Sequence, residues 1–141
     1  MANVIPFAFR GELFTGTHNF ASGGDSFKLA LYTSNPYDTS STVSVVTNEV
    51  SSSGTNYTAA GNALTGNAVV AATAVASCDF ADTTWTTATI TATHAALYND
   101  DQGDKLCVVL DFGGSFTCTN GTFKVSFPSP STAADAIISM A

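Results

Sequence analysis

Eleven carboxylates and two histidines in 141 residues are where chemistry would have to start. The densest acidic stretch is Asn99-Asp100-Asp101-Gln102-Gly103-Asp104. Several oxygens in one loop are what a calcium ion needs, but the run lacks the alternating ligands and closing Glu of a helix–loop–helix calcium site. The same residues are turn formers, and a hairpin turn is the plainer reading. Asp79 and Asp82 offer a second carboxylate pair, whose expected work is to hold backbone turns through their side chains. His18 and His94 stand far apart, in no HxH, HxxxH or HExxH pattern. His94 follows a threonine-rich run and reads as a surface or hydrogen-bonded histidine rather than a ligand. No serine lies in GxSxG, and no phosphate-cradling loop or dinucleotide fingerprint is present. Gly23-Gly24 and Gly113-Gly114 read as simple turns.

The cysteines are Cys78, Cys107 and Cys118. An odd count without a CxxC pair specifies neither a disulfide framework nor a zinc site. Cys107 sits among apolar residues and reads as a buried thiol. A Cys107–Cys118 bridge is left open, since spacing alone does not decide it. Asn56-Tyr57-Thr58 and Asn120-Gly121-Thr122 fit the glycosylation pattern, which matters only in a secretory setting. These residues point to no catalytic centre, no cofactor and no metal. They point to a module that works by surface contact.

Composition agrees with that reading. The apolar fraction is 45%, enough to bury a core, while only 11% of residues are charged, against roughly 25% in soluble domains. Thr, Ser, Ala and Asn fill the gap, which suits exposed sheet faces and packing into an assembly, where unpaired buried charge is costly. The net charge is −7, with Arg10, Lys28, Lys105 and Lys124 the only Lys or Arg. Such a balance argues against direct nucleic-acid binding and against an anionic membrane surface. The first residues show no basic start followed by an apolar run, so no signal peptide is expected, and no window is apolar for the ~18 residues of a membrane span.

The elements that would position any site are mostly strands. Residues 1–20 read as an N-terminal arm with a short helix over 7–16, where Phe7, Arg10 and Phe14 share a face with Leu13 beside it, Pro6 opens the helix and Gly16 stops it. Residues 21–141 read as a β-sandwich, the whole making a single domain. Over 26–33 Phe27, Leu29 and Leu31 alternate with Lys28, Ala30 and Tyr32, a strand with one buried face. Residues 34–66 are polar and irregular, and brief strands or an ordered excursion are expected there. Ala68–Ala76 reads as one strand. The chain is organised around 79–127, read as three strand-like runs. In the first, Ala88, Ile90 and Ala92 face inward, with a bulge near His94–Ala96 because Leu97 falls out of phase. In the second, Leu106, Val108, Leu110 and Phe112 face inward. Gly113-Gly114 and Asn120-Gly121 then signal turns before Thr122–Phe127. Trp85 should lie on the core with its indole N–H satisfied. Pro128 and Pro130 stop the last of these runs, and Ile137–Met140 is expected to be a final strand. The fold class is mainly β: an antiparallel β-sandwich with one short N-terminal helix.

The ordered set Gly16-Thr17-His18-Asn19-Phe20, Ser26–Thr33, Asn48-Glu49-Val50, Gly54–Gly61, Asp79–Trp85, Ala88–Ala92, Leu97-Tyr98-Asn99, Val109–Gly113 and Asn120–Phe123 resembles a family of small virion structural proteins of tailed bacteriophages. The resemblance spans nearly the whole chain. It implies a place in the phage particle, on the capsid surface, after synthesis in the bacterial host cytoplasm. The first role it suggests is a capsid decoration (cement) protein that binds the outside of the icosahedral shell and stabilises it. Its partner would then be the major capsid protein, and a homotrimer at local three-fold points the natural assembly. The alternative is a tail or fibre component with a receptor- or glycan-binding surface, using Trp85, Tyr57 and Tyr32 as stacking platforms. Candidate partner contacts are Phe7, Phe9, Phe14 and Tyr57; the competing expectation is that the arm's aromatics belong to the core. No catalytic, metal or cofactor residue is carried over.

Overall fold

A computed structural model of the chain describes residues 3–72, 75–128 and 136–140. The first element is a helix, α1 (Phe7–Phe14). Pro6 opens it at φ −60°, a value fixed by its ring. Gly16 ends it at φ +68°, where a side chain would be strained. The strands follow as β1 (Phe27–Tyr32), β2 (Asn62–Ala63), β3 (Ala68–Ala72), β4 (Val75–Asp79), β5 (Thr83–Asn99), β6 (Lys105–Val125) and β7 (Ile138–Met140). A short 3-10 turn, Asp100–Gln102, joins β5 to β6.

The strands form two antiparallel sheets, ordered β2-β1-β5-β6 and β3-β4-β7. Phe27, Leu29, Leu31, Ile90, Ala92, Leu97 and Val108 of the first sheet meet Cys78 and Ile138 of the second in one core. This is the mainly β, sandwich-like architecture that the period-two patterns predict. Around Phe20, rings pack on rings: Phe27 stacks at 4.4 Å, Phe9 stands edge-on at 6.1 Å and Phe80 at 6.3 Å. Such offset and edge-to-face contacts add to simple burial.

Four expectations change in detail. β1 is buried on both faces, because Ala30 and Tyr32 join Tyr37, Ala96, Tyr98, Leu106 and Val109 in a second cluster. Residues 33–50 supply its cover: Tyr37 donates its hydroxyl to Tyr32 at 2.6 Å, and Glu49 bridges back to Tyr32. Ala68–Ala76 is two antiparallel strands, not one, with Ala71 opposite Ala76. β6 runs through both glycine signals. Between the pairs His94–Asp111 and Ala92–Phe116, residues 112–115 bulge out, and a second shift separates Ala88–Gly121 from Ile90–Cys118. Gly113 at φ +75° and Asn120 at φ +46° are absorbed as irregularities of a long strand, because the partner strand continues past them. The run over 122–127 is shorter than expected, since β6 ends at Val125. Pro130 lies outside the described residues.

Candidate functional site

The structure divides the four candidate contact residues. Phe9 is wholly buried and Tyr57 is buried against Trp85, with ring centroids 5.8 Å apart. Phe7 and Phe14 face solvent, at 60% and 94% exposure. The shared face of Phe7, Arg10 and Phe14 is therefore the outer face of α1, while Phe9 goes inward with Leu13 packed against the core. The Arg10 guanidinium lies 4.6 Å from the centroid of the Phe7 ring. Lys28, Lys105 and Lys124 each pair with a carboxylate, Asp100, Glu12 and Asp82. Arg10 makes no such pair among the described residues.

α1 is held in place by a polar cluster that ties together elements distant in sequence. Glu12 accepts from His18 Nε2 at 2.8 Å through one oxygen and from Lys105 Nζ at 2.5 Å through the other. Asn99 Nδ2 donates to Asp25 Oδ2 at 2.8 Å and to His18 Nδ1 at 3.0 Å. Asp25 Oδ2 also accepts the backbone N–H of Asn19 at 2.9 Å. Because Asp25 can only accept, the amide end of Asn99 faces it and faces His18 as well. His18 Nδ1 is therefore an acceptor, and the proton sits on Nε2, where it donates to Glu12. The cluster joins α1, the 18–25 loop, the end of β5 and the start of β6.

Cys107, His18 and Glu12 have the order of a nucleophile, base and orienting acid. Their geometry does not make one. The Cys107 sulfur is wholly buried and 4.0 Å from His18 Nδ1, whose lone pair already takes the Asn99 amide. Burial pushes the Cys107 thiol up, and the neighbouring Cys78, Glu12 and Asp25 push it further. A thiol held protonated is a poor nucleophile. What the cluster does is fasten the helix that presents Phe7 and Phe14.

Its carboxylates give an acid signature. Burial alone would raise Glu12, but hydrogen bonds from Lys105 and His18 outweigh it and hold the carboxyl below its ordinary 4.5. Asp25 is likewise opposed by burial and held below 3.8 by the Asn19 N–H and the Asn99 amide. With folded-state values depressed, the unfolded chain binds more protons in acid. The stabilisation is complete above the ordinary carboxylate range and is lost as pH falls through the folded values. Urea midpoints should therefore drop below about pH 4, and Glu12→Gln should flatten that dependence while lowering stability at neutral pH. An equally steep acid loss in Glu12→Gln would remove Glu12 from the account.

The other candidates have structural work. Asp82 accepts the Phe127 N–H at 2.9 Å and the Lys124 ammonium at 2.7 Å, the turn-fixing role expected of it. Gly103 closes the β5–β6 turn at φ +71°. His94 is mostly buried, bonded to Thr93 at 2.7 Å and near Asp111. All three cysteines are free, so the Cys107–Cys118 bridge does not form. Trp85 is buried as expected, but its indole N–H finds no acceptor among the described residues. Rings of Tyr57 and Phe123 occupy its surroundings.

No protein-family model, curated protein or solved structure matches this chain.

Proposed function

We propose that this chain is a capsid decoration (cement) protein of a tailed bacteriophage, docked on the major capsid protein through the outer face of α1. The observation that carries the reading is the exposure of Phe14 and Phe7 on a helix fastened from below by Glu12. Aromatic and arginine side chains are the usual anchors of protein interfaces, and here Arg10 sits over Phe7 with no carboxylate partner among the described residues. A charge-poor β scaffold presenting a small fixed patch suits a protein that gains its strength from many copies, each contact being modest. The glycan-binding alternative draws no support from its own residues, since Trp85, Tyr57 and Tyr32 are buried in the core.

Copy number in purified virions, measured by quantitative mass spectrometry against the major capsid protein, tests this directly. A simple fraction of the shell subunits is expected; a handful of copies per particle moves the protein to the tail, and absence ends the virion reading. Docking is tested by replacing Phe7 and Phe14 together with Ser. Shell binding should fall at least about tenfold, as for loss of interface anchors, while the urea midpoint stays put, because both rings already face water. Unchanged binding would take α1 out of the interface.

A further inference from the structure

We propose that Asn120 is a site of spontaneous covalent modification: its side-chain amide is lost through a cyclic imide formed with Gly121, leaving aspartate or isoaspartate on the surface of β6. The inference does not rest on the decoration reading and concerns a different part of the chain from α1.

Asn120-Gly121 is the only asparagine–glycine pair in the chain. Its chemistry suits a turn, yet it lies inside β6. The ladder with β5 is irregular there. Between the pairs Ala88–Gly121 and Ile90–Cys118, Thr119 and Asn120 together face Thr89, the arrangement of a bulge. Along this stretch polar groups of β5 turn to partners outside the ladder. The Thr87 carbonyl accepts from Asn56 Nδ2 at 2.9 Å, the Ala88 carbonyl from the Cys118 thiol at 3.2 Å, and the Thr89 N–H goes to the Thr55 carbonyl at 2.8 Å. The Asn120 N–H reaches a side chain instead, Thr89 Oγ1 at 3.1 Å. Asn120 holds φ +46°. It is exposed, and its side chain takes no hydrogen bond among the described residues.

That pair has an intrinsic reaction. The Gly121 nitrogen gives its proton to water or hydroxide and attacks Asn120 Cγ. A C–N bond forms, the Cγ–Nδ2 bond breaks, and ammonia leaves with a proton taken from solvent. Water then opens the imide at either carbonyl, giving aspartate or isoaspartate, with no oxidant or reductant. The attack requires the peptide after Asn120 to rotate toward the side chain, which glycine resists least. Even a Cβ on residue 121 would meet nothing closer than 3.7 Å, so the peptide has room to turn. Other asparagines are tied down. Asn56 and Asn62 donate to the Thr87 and Thr84 carbonyls, while Asn19 and Asn35 accept the Ala21 and Tyr37 N–H groups. Asn48 is the informative comparison. It is exposed at φ +61° with its side chain unbonded among the described residues. Its neighbour is Glu49, however, whose N–H is held by the Val46 carbonyl at 3.1 Å.

The product changes the surface of β6. From Phe112 to Phe123 the strand has no charged residue, so a carboxylate at 120 is the only charge there and makes the chain one unit more negative than −7. Isoaspartate also adds a carbon to the backbone of β6. It does so at a bulge, where an extra residue already stands outside the ladder and the rest of the register is kept.

Incubation of the folded wild type at mildly alkaline pH, followed by peptide mass spectrometry, tests this. A gain of one mass unit is expected in the peptide containing Asn120, with an isoaspartate product that a protein isoaspartate methyltransferase labels, and no gain at Asn48. Gly121→Ala should fold, because the added carbon has room. It should slow the gain at least about fivefold, the rate equivalent of the backbone freedom glycine has over alanine. No gain at Asn120 in the folded protein would overturn the proposal; a gain there in the urea-unfolded chain alone would show that the bulge protects the amide. Equal gains at Asn48 and Asn120, or an undiminished rate in Gly121→Ala, would overturn it as well.

Discussion

Gly61→Ala is expected to cost at least about 4 kcal/mol, in the range reserved for a specific structural failure. A Cβ at Gly61 would lie 2.1 Å from the Leu29 carbonyl oxygen, 2.4 Å from its carbon and 2.6 Å from the Ala30 nitrogen. All three are backbone atoms of β1, at the centre of the first sheet, and have nowhere to go. Gly61 also holds φ +82°, a strain of about 1–2 kcal/mol for an L side chain. The close approach is needed because the 57–63 segment is laid along β1. The Tyr57 hydroxyl accepts the Leu31 N–H at 2.9 Å and donates to Glu49 at 2.9 Å, while Ala60 gives its N–H to the same Glu49 oxygen at 2.7 Å. Asn62 and Ala63 then pair with Leu29 and Lys28. Gly54→Ala is the control: φ there is +70°, but nothing lies within 4 Å of the added carbon, so only the dihedral strain should appear. Urea denaturation of both variants separates the terms. Equal losses would mean that the segment moves aside from β1 freely.

That segment shows where the sequence was readable and where it was not. Alternation is a local signal, so Phe27, Leu29 and Leu31, and Ala88, Ile90 and Ala92, could be assigned to one buried face. The opposite face of β1 is buried by its sheet neighbours on β5 and β6 and by Tyr37, which comes from residues 33–50, whose Ser, Thr and Asn carry no periodicity. Gly113-Gly114 and Asn120-Gly121 have the chemistry of turns, yet β5 offers a partner beyond them, and pairing outweighs the local preference. On α1, helical spacing correctly grouped Phe7, Arg10 and Phe14 on one face, but spacing says nothing of which face meets the core. Phe9, one position off that stripe, found Phe20 and His18 instead. The cluster beneath the helix was less legible still. His18 and Asn99 are 81 positions apart and Glu12 and Lys105 are 93 apart. The available hint was scarcity: in a chain with so few charges, Glu12 inside an aromatic-rich helix needed a partner.

Asn99→Asp, a change of one terminal group, should cost about 3–5 kcal/mol at neutral pH. Asn99 is wholly buried, and its Nδ2 serves both Asp25 and His18 while its Oδ1 has no partner in the described residues. The side chain is thus used only as a donor. An aspartate removes both donors, sets a carboxylate against the Asp25 carboxylate, and turns a lone pair toward His18 Nδ1. Adding Asp25→Asn to that variant returns an amide to the facing position, with the roles of the two side chains exchanged. The pair should therefore lose less than the sum of the single variants, by about 1–3 kcal/mol of coupling. Lowering the pH should also restore part of the stability of Asn99→Asp, because a proton taken up between the two carboxyls rebuilds a donor there. The wild type should lose stability over the same acid range as Glu12 and Asp25 are protonated, so the two pH profiles converge. Additive single and double losses, or parallel profiles, would show that Asn99 matters only as volume. Coupling would also have a consequence at the surface. The amide holds His18 in the tautomer that donates to Glu12, and Glu12 fixes the helix that turns Phe7 and Phe14 outward. On the proposed docking through α1, shell binding by Asn99→Asp should then weaken although no residue on the outer face of that helix has changed.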